Sequence, residues 1–306
     1  MLVKVKKVAA ESCTVERIES WSDFLDRVAM APKYRTWAFR GHANSDWPLF
    51  SSLSRYLRTY QVHRNVWPTQ EERILRVFRR KAHLHLQHVP DEDDSFQWLA
   101  LMQHHGAPTR LLDVTWSPYV AAFFALDRAV GDAALWAVNP VRINLQYPNH
   151  QLQLPTGQTV QPLKMGPWTR GNFEQYFLPG TIPFVVIGEP QVMNKRLVAQ
   201  AGTFLMPGKL DVDVAEILTA YPDPANVIAK FILAAHLRDT AMRELYNMNL
   251  TPATLFPDLD GLARSLAYEL EFHWAFDPRT AQPHPGYEYP GYQPKQNGTL
   301  DDNGPG

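Results

Sequence analysis

The sequence predicts an α+β fold in which a central sheet is flanked by helices. Three observations lead there. Runs rich in β-branched and aromatic residues at 35–41, 135–138, 182–187, 196–199, 203–206 and 227–233 read as strands. Stretches with apolar residues at three- and four-residue spacing lie between them and read as helices. A composition of 45% hydrophobic and 20% charged residues is that of a globular chain with a sizeable core.

Taken in order, residues 2–8 alternate valine and lysine and read as a short edge strand. Ser22 can cap a helix running to Met30, with Phe24, Leu25 and Val28 facing inward. The strand at 35–41 is rich in aromatics and ends at Gly41. Thr69, followed by Glu71 and Glu72, starts a helix to about Gln87. Ile74, Leu75, Phe78, Ala82 and His85 share one face of it, while Arg73, Arg76, Arg79, Arg80 and Lys81 lie mostly on the other. Such a basic stripe is usually a solvated face; contact with nucleic acid or phosphate is the other reading. Asp93 or Asp94 begins the next helix, which stops near Gly106, and a polar loop and short strand follow.

Ser117 then supplies an N-cap and Pro118 the first helical position. The helix from there to about Arg128 is apolar nearly all round and so should be buried. Residues 140–180, rich in Gln, Pro and Gly, read as peripheral loops and short strands, and 236–248 and 259–272 as helices. From Asp277 the composition turns to Pro, Gly, Tyr, Gln and Asn, which reads as a flexible tail. The organisation expected is an N-terminal extension at 1–16, one α+β domain at 17–275 and a tail at 276–306.

Charge and cysteine content limit the chemistry. A formal net charge of −1 provides no global basic field to draw in nucleic acid, although a local basic cleft is compatible with it. Cys13 is the lone cysteine, which excludes an internal disulfide framework and any multi-cysteine zinc or iron–sulfur site. No long apolar run marks a signal peptide and no window approaches eighteen apolar residues, so the expectation is a cytoplasmic protein without a membrane span. The phosphate-loop, dinucleotide, zincin and nucleophile-elbow motifs are all absent from the sequence. His83, His85 and His88 do not share a helical face, and the adjacent His104 and His105 point apart, so no metal is expected.

Three polar clusters stand out. In Trp37-Ala38-Phe39-Arg40-Gly41-His42, strand alternation sends Arg40 to the face opposite Phe39. A buried arginine there needs an anionic or multi-acceptor partner. That partner is either an internal carboxylate such as Asp113 or a bound phosphate or ribose, and Gly41 allows close approach. The second cluster, Gln103-His104-His105-Gly106-Ala107-Pro108-Thr109-Arg110-Leu111-Leu112-Asp113-Val114-Thr115-Trp116-Ser117, feeds a helix N-terminus with hydroxyls and arginines nearby, a natural cradle for an anion. It reads as a site, the alternative being an arginine–aspartate lock with Ser117 only a cap. In the third, Gln200 and Gly202 interrupt a strand pattern and mark a bulge or a close backbone approach.

These residues resemble the FRG domain family, named for a Phe-Arg-Gly motif that here is Phe39-Arg40-Gly41. The resemblance extends through Trp47, the run from Gln103 to Pro118, Arg196-x-x-Ala199-Gln200-x-Gly202-x-Phe204, and Leu255-Phe256-Pro257-Asp258-Leu259-Asp260-Gly261-Leu262, covering about residues 17–270. Its layout is similar to that of ADP-ribosyltransferases, which implies a central, mostly antiparallel split sheet and NAD as substrate. On that likeness Arg40 holds an NAD phosphate or ribose, and Thr115 and Ser117 line the nicotinamide-ribose pocket. Gln200 stands where many such enzymes have a catalytic glutamate. Phe39, Gly41, His42, His104, Thr109 and Arg110 complete the implied binding set. A glutamine cannot deprotonate an acceptor, so His104, His105 or Asp113 would serve as base unless the acceptor needs none. Arg40, Asp113, Thr115 and Gln200 should then line one pocket.

The resemblance implies an NAD-dependent ADP-ribosyltransferase-like enzyme, a bacterial toxin or defence effector, that modifies a nucleic acid, a nucleotide or a protein. The competing readings are a non-catalytic module binding nucleic acid or nucleotide through Arg40, Arg110 and the 73–81 stripe, and a hydrolytic enzyme such as an NAD glycohydrolase.

Overall fold

The computed structural model describes residues 13–145, 162–272 and 276–283. The strand expected at 2–8 and the tail beyond residue 283 lie outside these residues. By compactness the chain divides into two units, residues 1–250 and 251–306.

The first unit is built on an open seven-stranded sheet. Its strands are β1 (Thr14–Ile18), β2 (Ala38–His42), β3 (Leu112–Thr115), β4 (Ala133–Val138), β5 (Val185–Gly188), β6 (Gly202–Pro207) and β7 (Ile228–Leu233), arranged in the order β1-β7-β4-β2-β3-β6-β5. Every pairing is antiparallel except that of β1 with β7. β2 and β3 meet at the single pair Phe39–Thr115, whereas β2 pairs with β4 along its whole length. The sheet is therefore continuous but narrowly joined at its middle.

Helices cover both faces. They are α1 (Trp21–Phe24, continued by a π turn at Leu25–Ala29), α2 (Ser52–Thr59), α3 (Trp67–Ala82), α4 (Ser95–His104), α5 (Pro118–Leu126), α6 (Pro140–Leu145), α7 (Lys195–Ala199), α8 (Val214–Thr219) and α9 (Arg238–Asn247). Alternation along the strands divides the core in two. Val186, Phe204 and Met206 pack with α3 and α4 through Leu75, Phe96, Trp98 and Leu99. Val185, Ile187 and Leu205 face the other way, toward α8 and α6 through Val214, Ile217, Leu218 and Ile143.

Local chemistry accounts for the helix starts. Asp94 accepts from the Gln97 amide and opens α4, and Ser117 accepts from the Val120 amide and opens α5 ahead of Pro118. As its all-round apolarity requires, α5 is buried except at its rim. At the first helix the cap is Ser20 rather than Ser22. Residues 196–199, expected as a strand, lie in the helix α7, because the Asn194 side chain caps it by accepting from the Leu197 amide. The 140–180 segment is not peripheral over its described part. It contributes α6, a 3₁₀ turn at Pro162–Met165 and a π turn at Phe173–Phe177, and Met165, Phe173 and Phe177 are core residues. None of the described helices is long and apolar enough to cross a membrane.

The second unit comprises α10 (Pro252–Leu255), opened by a capping box between Thr251 and Thr254, α11 (Leu259–Glu271), and a hairpin of β8 (Phe276–Asp277) and β9 (Gln282–Pro283). The hairpin occupies the start of the segment expected to be flexible.

Candidate functional site

β2 carries the first cluster. Phe39 and Gly41 face α5, and Arg40 and His42 face away. A Cβ on Gly41 would lie 2.2 Å from the Ala121 carbonyl oxygen and 2.5 Å from the Ala125 nitrogen. The close approach foreseen at this glycine is that of a helix backbone, not a ligand. Phe39 is buried on the same side, where both residues are used in packing.

Arg40 donates from Nε to His42 Nε2 at 3.0 Å and from Nη1 to the Asp113 carbonyl at 2.6 Å. It thus spans the two strands beyond the Phe39–Thr115 pair. Desolvation holds its pKa below the usual arginine range; Asp113 opposes that shift and Arg55 adds to it. A guanidinium nonetheless stays charged. Because His42 Nε2 accepts, the neutral ring carries its proton on Nδ1, which is buried and turned toward the Trp47 backbone. Burial first, then Arg40 and Arg55, push the His42 pKa down to about 3. His42 is therefore a neutral, buried support for Arg40 and not a ligand contact.

A second guanidinium completes the electrostatics. Arg55 on α2 donates to the Phe50 carbonyl at 2.8 Å and is itself partly desolvated. Among the described residues, no carboxylate lies within ion-pair distance of Arg40 or Arg55. Asp113 is exposed, and its Oδ2 accepts from Gln103 Nε2 at 2.7 Å. Two arginines, one carboxylate and a neutral histidine leave this region with an excess of positive charge.

The loop between α4 and β3 is pinned by Thr109. Its hydroxyl donates to Gln103 Oε1 at 2.6 Å and accepts from the Leu111 amide at 3.1 Å. Its amide donates to Ser52 Oγ at 3.0 Å, and its carbonyl accepts from the Leu53 amide at 3.0 Å. Fully buried, Thr109 fastens the loop to the helix that bears Arg55; it is not a binding residue. Gly106, at φ +77°, supplies the left-handed turn after α4.

Arg110 is also a correction. It neither contacts Asp113 nor faces solvent. It pairs through Nε with Glu71 Oε1 at 2.7 Å and through Nη2 with Glu71 Oε2, and donates to the Pro207 carbonyl at 3.0 Å. The rings of Phe173 and Phe177 lie 5.4 and 5.8 Å from its guanidinium. Glu71 escaped the sequence reading, although a signal was present. It stands four residues before Leu75, on the same stripe as Phe78 and Ala82, where a carboxylate requires a buried cation.

Thr115 and Ser117 are spent on local structure. Thr115 Oγ1 donates to the Gln200 carbonyl at 2.6 Å and accepts from the Ser117 amide at 3.0 Å, while Ser117 Oγ caps α5. Gln200 is buried at the C-cap of α7, ahead of Ala201 at φ +45°. His104 and His105 close α4 with their rings edge to face at 4.8 Å; His105 is exposed. The four residues expected in one pocket therefore fall into two groups. Arg40 reaches the Asp113 carbonyl, and Thr115 joins Gln200. Since Thr115 pairs with Phe39, its side chain is on the face opposite Arg40. Among the described residues, no three His, Cys, Asp or Glu side chains gather as a metal would need.

An open, mostly antiparallel sheet flanked by helices makes this an α+β protein, with Arg40 at the polar centre of the sheet. Residues 35–133 match the family model of the FRG domain. The matched segment holds Arg40, Arg55, Glu71, Arg110 and Asp113, but not Gln200. No curated protein and no solved structure matches the chain.

Proposed function

We propose that this chain acts on NAD, holding the pyrophosphate at Arg40 and Arg55 and transferring the ADP-ribosyl group to a nucleic acid, nucleotide or protein acceptor. The observation that carries the reading is Arg40, desolvated in the sheet, hydrogen-bonded to a neutral imidazole and a backbone carbonyl, and in no ion pair among the described residues, with Arg55 adding positive charge. A phosphate bound at Arg40 supplies the anionic partner that its guanidinium lacks. In the reaction the bond from ribose C1′ to the nicotinamide nitrogen breaks and nicotinamide leaves as a neutral base. The acceptor then bonds to C1′ and loses a proton. The Gln200 amide cannot take that proton. The exposed Asp113 carboxylate, oriented by Gln103, can. Water as acceptor turns the same site into an NAD glycohydrolase.

The test is incubation with labelled NAD and cell extract, beside Arg55→Gln and Arg40→Gln variants. Label transferred to a macromolecule supports the proposal, and free ADP-ribose alone supports hydrolysis. No NAD binding and no turnover overturn both. Arg55 is exposed, so its variant separates loss of binding from loss of fold. A role as a bacterial toxin or defence effector predicts arrested growth on expression, relieved by Arg55→Gln. A nucleic-acid-binding module is the second reading, favoured by Arg73, Arg76, Arg80 and Lys81, all exposed along α3. It calls for affinity that falls steeply with salt and survives Arg55→Gln.

A further inference from the structure

We infer that the ligand held at Arg40 and Arg55 is a nucleotide whose base stacks on Trp47. The inference rests on the phosphate reading above and adds the base. Trp47 is 53% exposed, a large apolar surface left in water. Its neighbours do not explain that exposure as looseness, because the turn that carries it is braced. Asn44 Oδ1 accepts from the Asp46 amide at 2.7 Å, the Asn44 carbonyl accepts from the Trp47 amide at 3.3 Å, and Lys230 Nζ donates to the Ser45 carbonyl at 2.6 Å. Pro48 follows and fixes its own φ.

The other exposed aromatics are already engaged. Trp116 donates Nε1 to Glu189, and Tyr56 lies against Tyr60 with ring centroids 4.6 Å apart. Among the rings of the described residues, the indole of Trp47 pairs with that of His42, edge on at 6.2 Å and 63°, and no ring is stacked on its faces. That same imidazole accepts from Arg40 Nε at 3.0 Å. One histidine thus ties an open aromatic face to an unpaired guanidinium within the span of a single nucleotide. A π surface beside a cationic grip selects a base joined to a phosphate over a bare anion.

Affinities of the full chain for AMP and for ribose 5-phosphate test this, measured for wild type, Trp47→Ala, Trp47→Phe and Arg55→Gln. Wild type is expected to prefer AMP by about five- to one-hundred-fold, the size of one base-stacking contact. Trp47→Ala should erase the preference with ribose 5-phosphate affinity unchanged, Trp47→Phe should keep most of it, and Arg55→Gln should weaken both ligands together. Equal affinity of wild type for the two ligands, or a preference that persists in Trp47→Ala, overturns the inference and leaves the phosphate reading standing. Binding of neither ligand overturns both.

Discussion

Arg110 and Glu71 form a two-pronged ion pair in which neither side chain reaches solvent, tying the residue that leads into β3 to the buried face of α3. A cation and a carboxylate so placed are each the remedy for burying the other. Arg110→Ala or Glu71→Gln therefore strands a charge and is expected to cost about 3–5 kcal/mol in denaturant unfolding. Replacing both at once, with Met at 110 and Leu at 71, should recover most of that loss. A single variant that unfolds like wild type would refute the lock.

Gly41 is a packing glycine. Gly41→Ala drives a methyl group into the backbone of α5, which cannot yield as a side chain tip would. The expected loss is about 3 kcal/mol, at the upper end of overpacking costs. Equilibrium unfolding reads it. A fall in NAD affinity at unchanged stability would instead return Gly41 to the ligand.

Ser117 distinguishes a cap from a binding group. Ser117→Ala removes the side-chain acceptor for the Val120 amide and should cost about 1 kcal/mol of stability. Ligand affinity should not change, and isothermal titration beside a melting curve separates the two.

His42 makes the domain acid-sensitive. Its folded pKa, near 3, lies below the ordinary histidine value, so between about pH 6.5 and 3 the unfolded chain binds the proton that the folded chain refuses. This contribution is complete above pH 6.5 and is lost as pH falls through the window, at about 1.4 kcal/mol per unit. His42→Gln should flatten that part of the stability–pH curve. An unchanged slope would contradict the assignment.

Much of this arrangement was legible where chemistry is local. The Ser117-Pro118 start of α5, the Asp94 cap and the alternation that separates Arg40 from Phe39 all follow from neighbours in sequence. The failures come from longer reach or shorter signal. Five residues, Lys195–Ala199, are too few for periodicity to distinguish strand from helix, and the deciding contact was the cap from Asn194. The partner of Arg110 could not be inferred from its own neighbourhood, where Asp113 is nearest in sequence, because Glu71 comes from a different helix. Thr109, Thr115 and Ser117 looked like a cradle of hydroxyls. Each turned out to serve an orphan backbone group, the commonest use of a buried hydroxyl.

The pairing of β1 with β7 sets a schedule for synthesis. Residues 14–18 are made long before the strand they lie beside, 228–233, and β7 also covers one edge of β4. The sheet is not complete until nearly the whole first unit has been made, and pairing across so long a stretch of chain slows folding. A chain terminated before residue 228 would not be a smaller version of this protein. It would leave β1 without a neighbour and the edge of β4 bare, a template for aggregation.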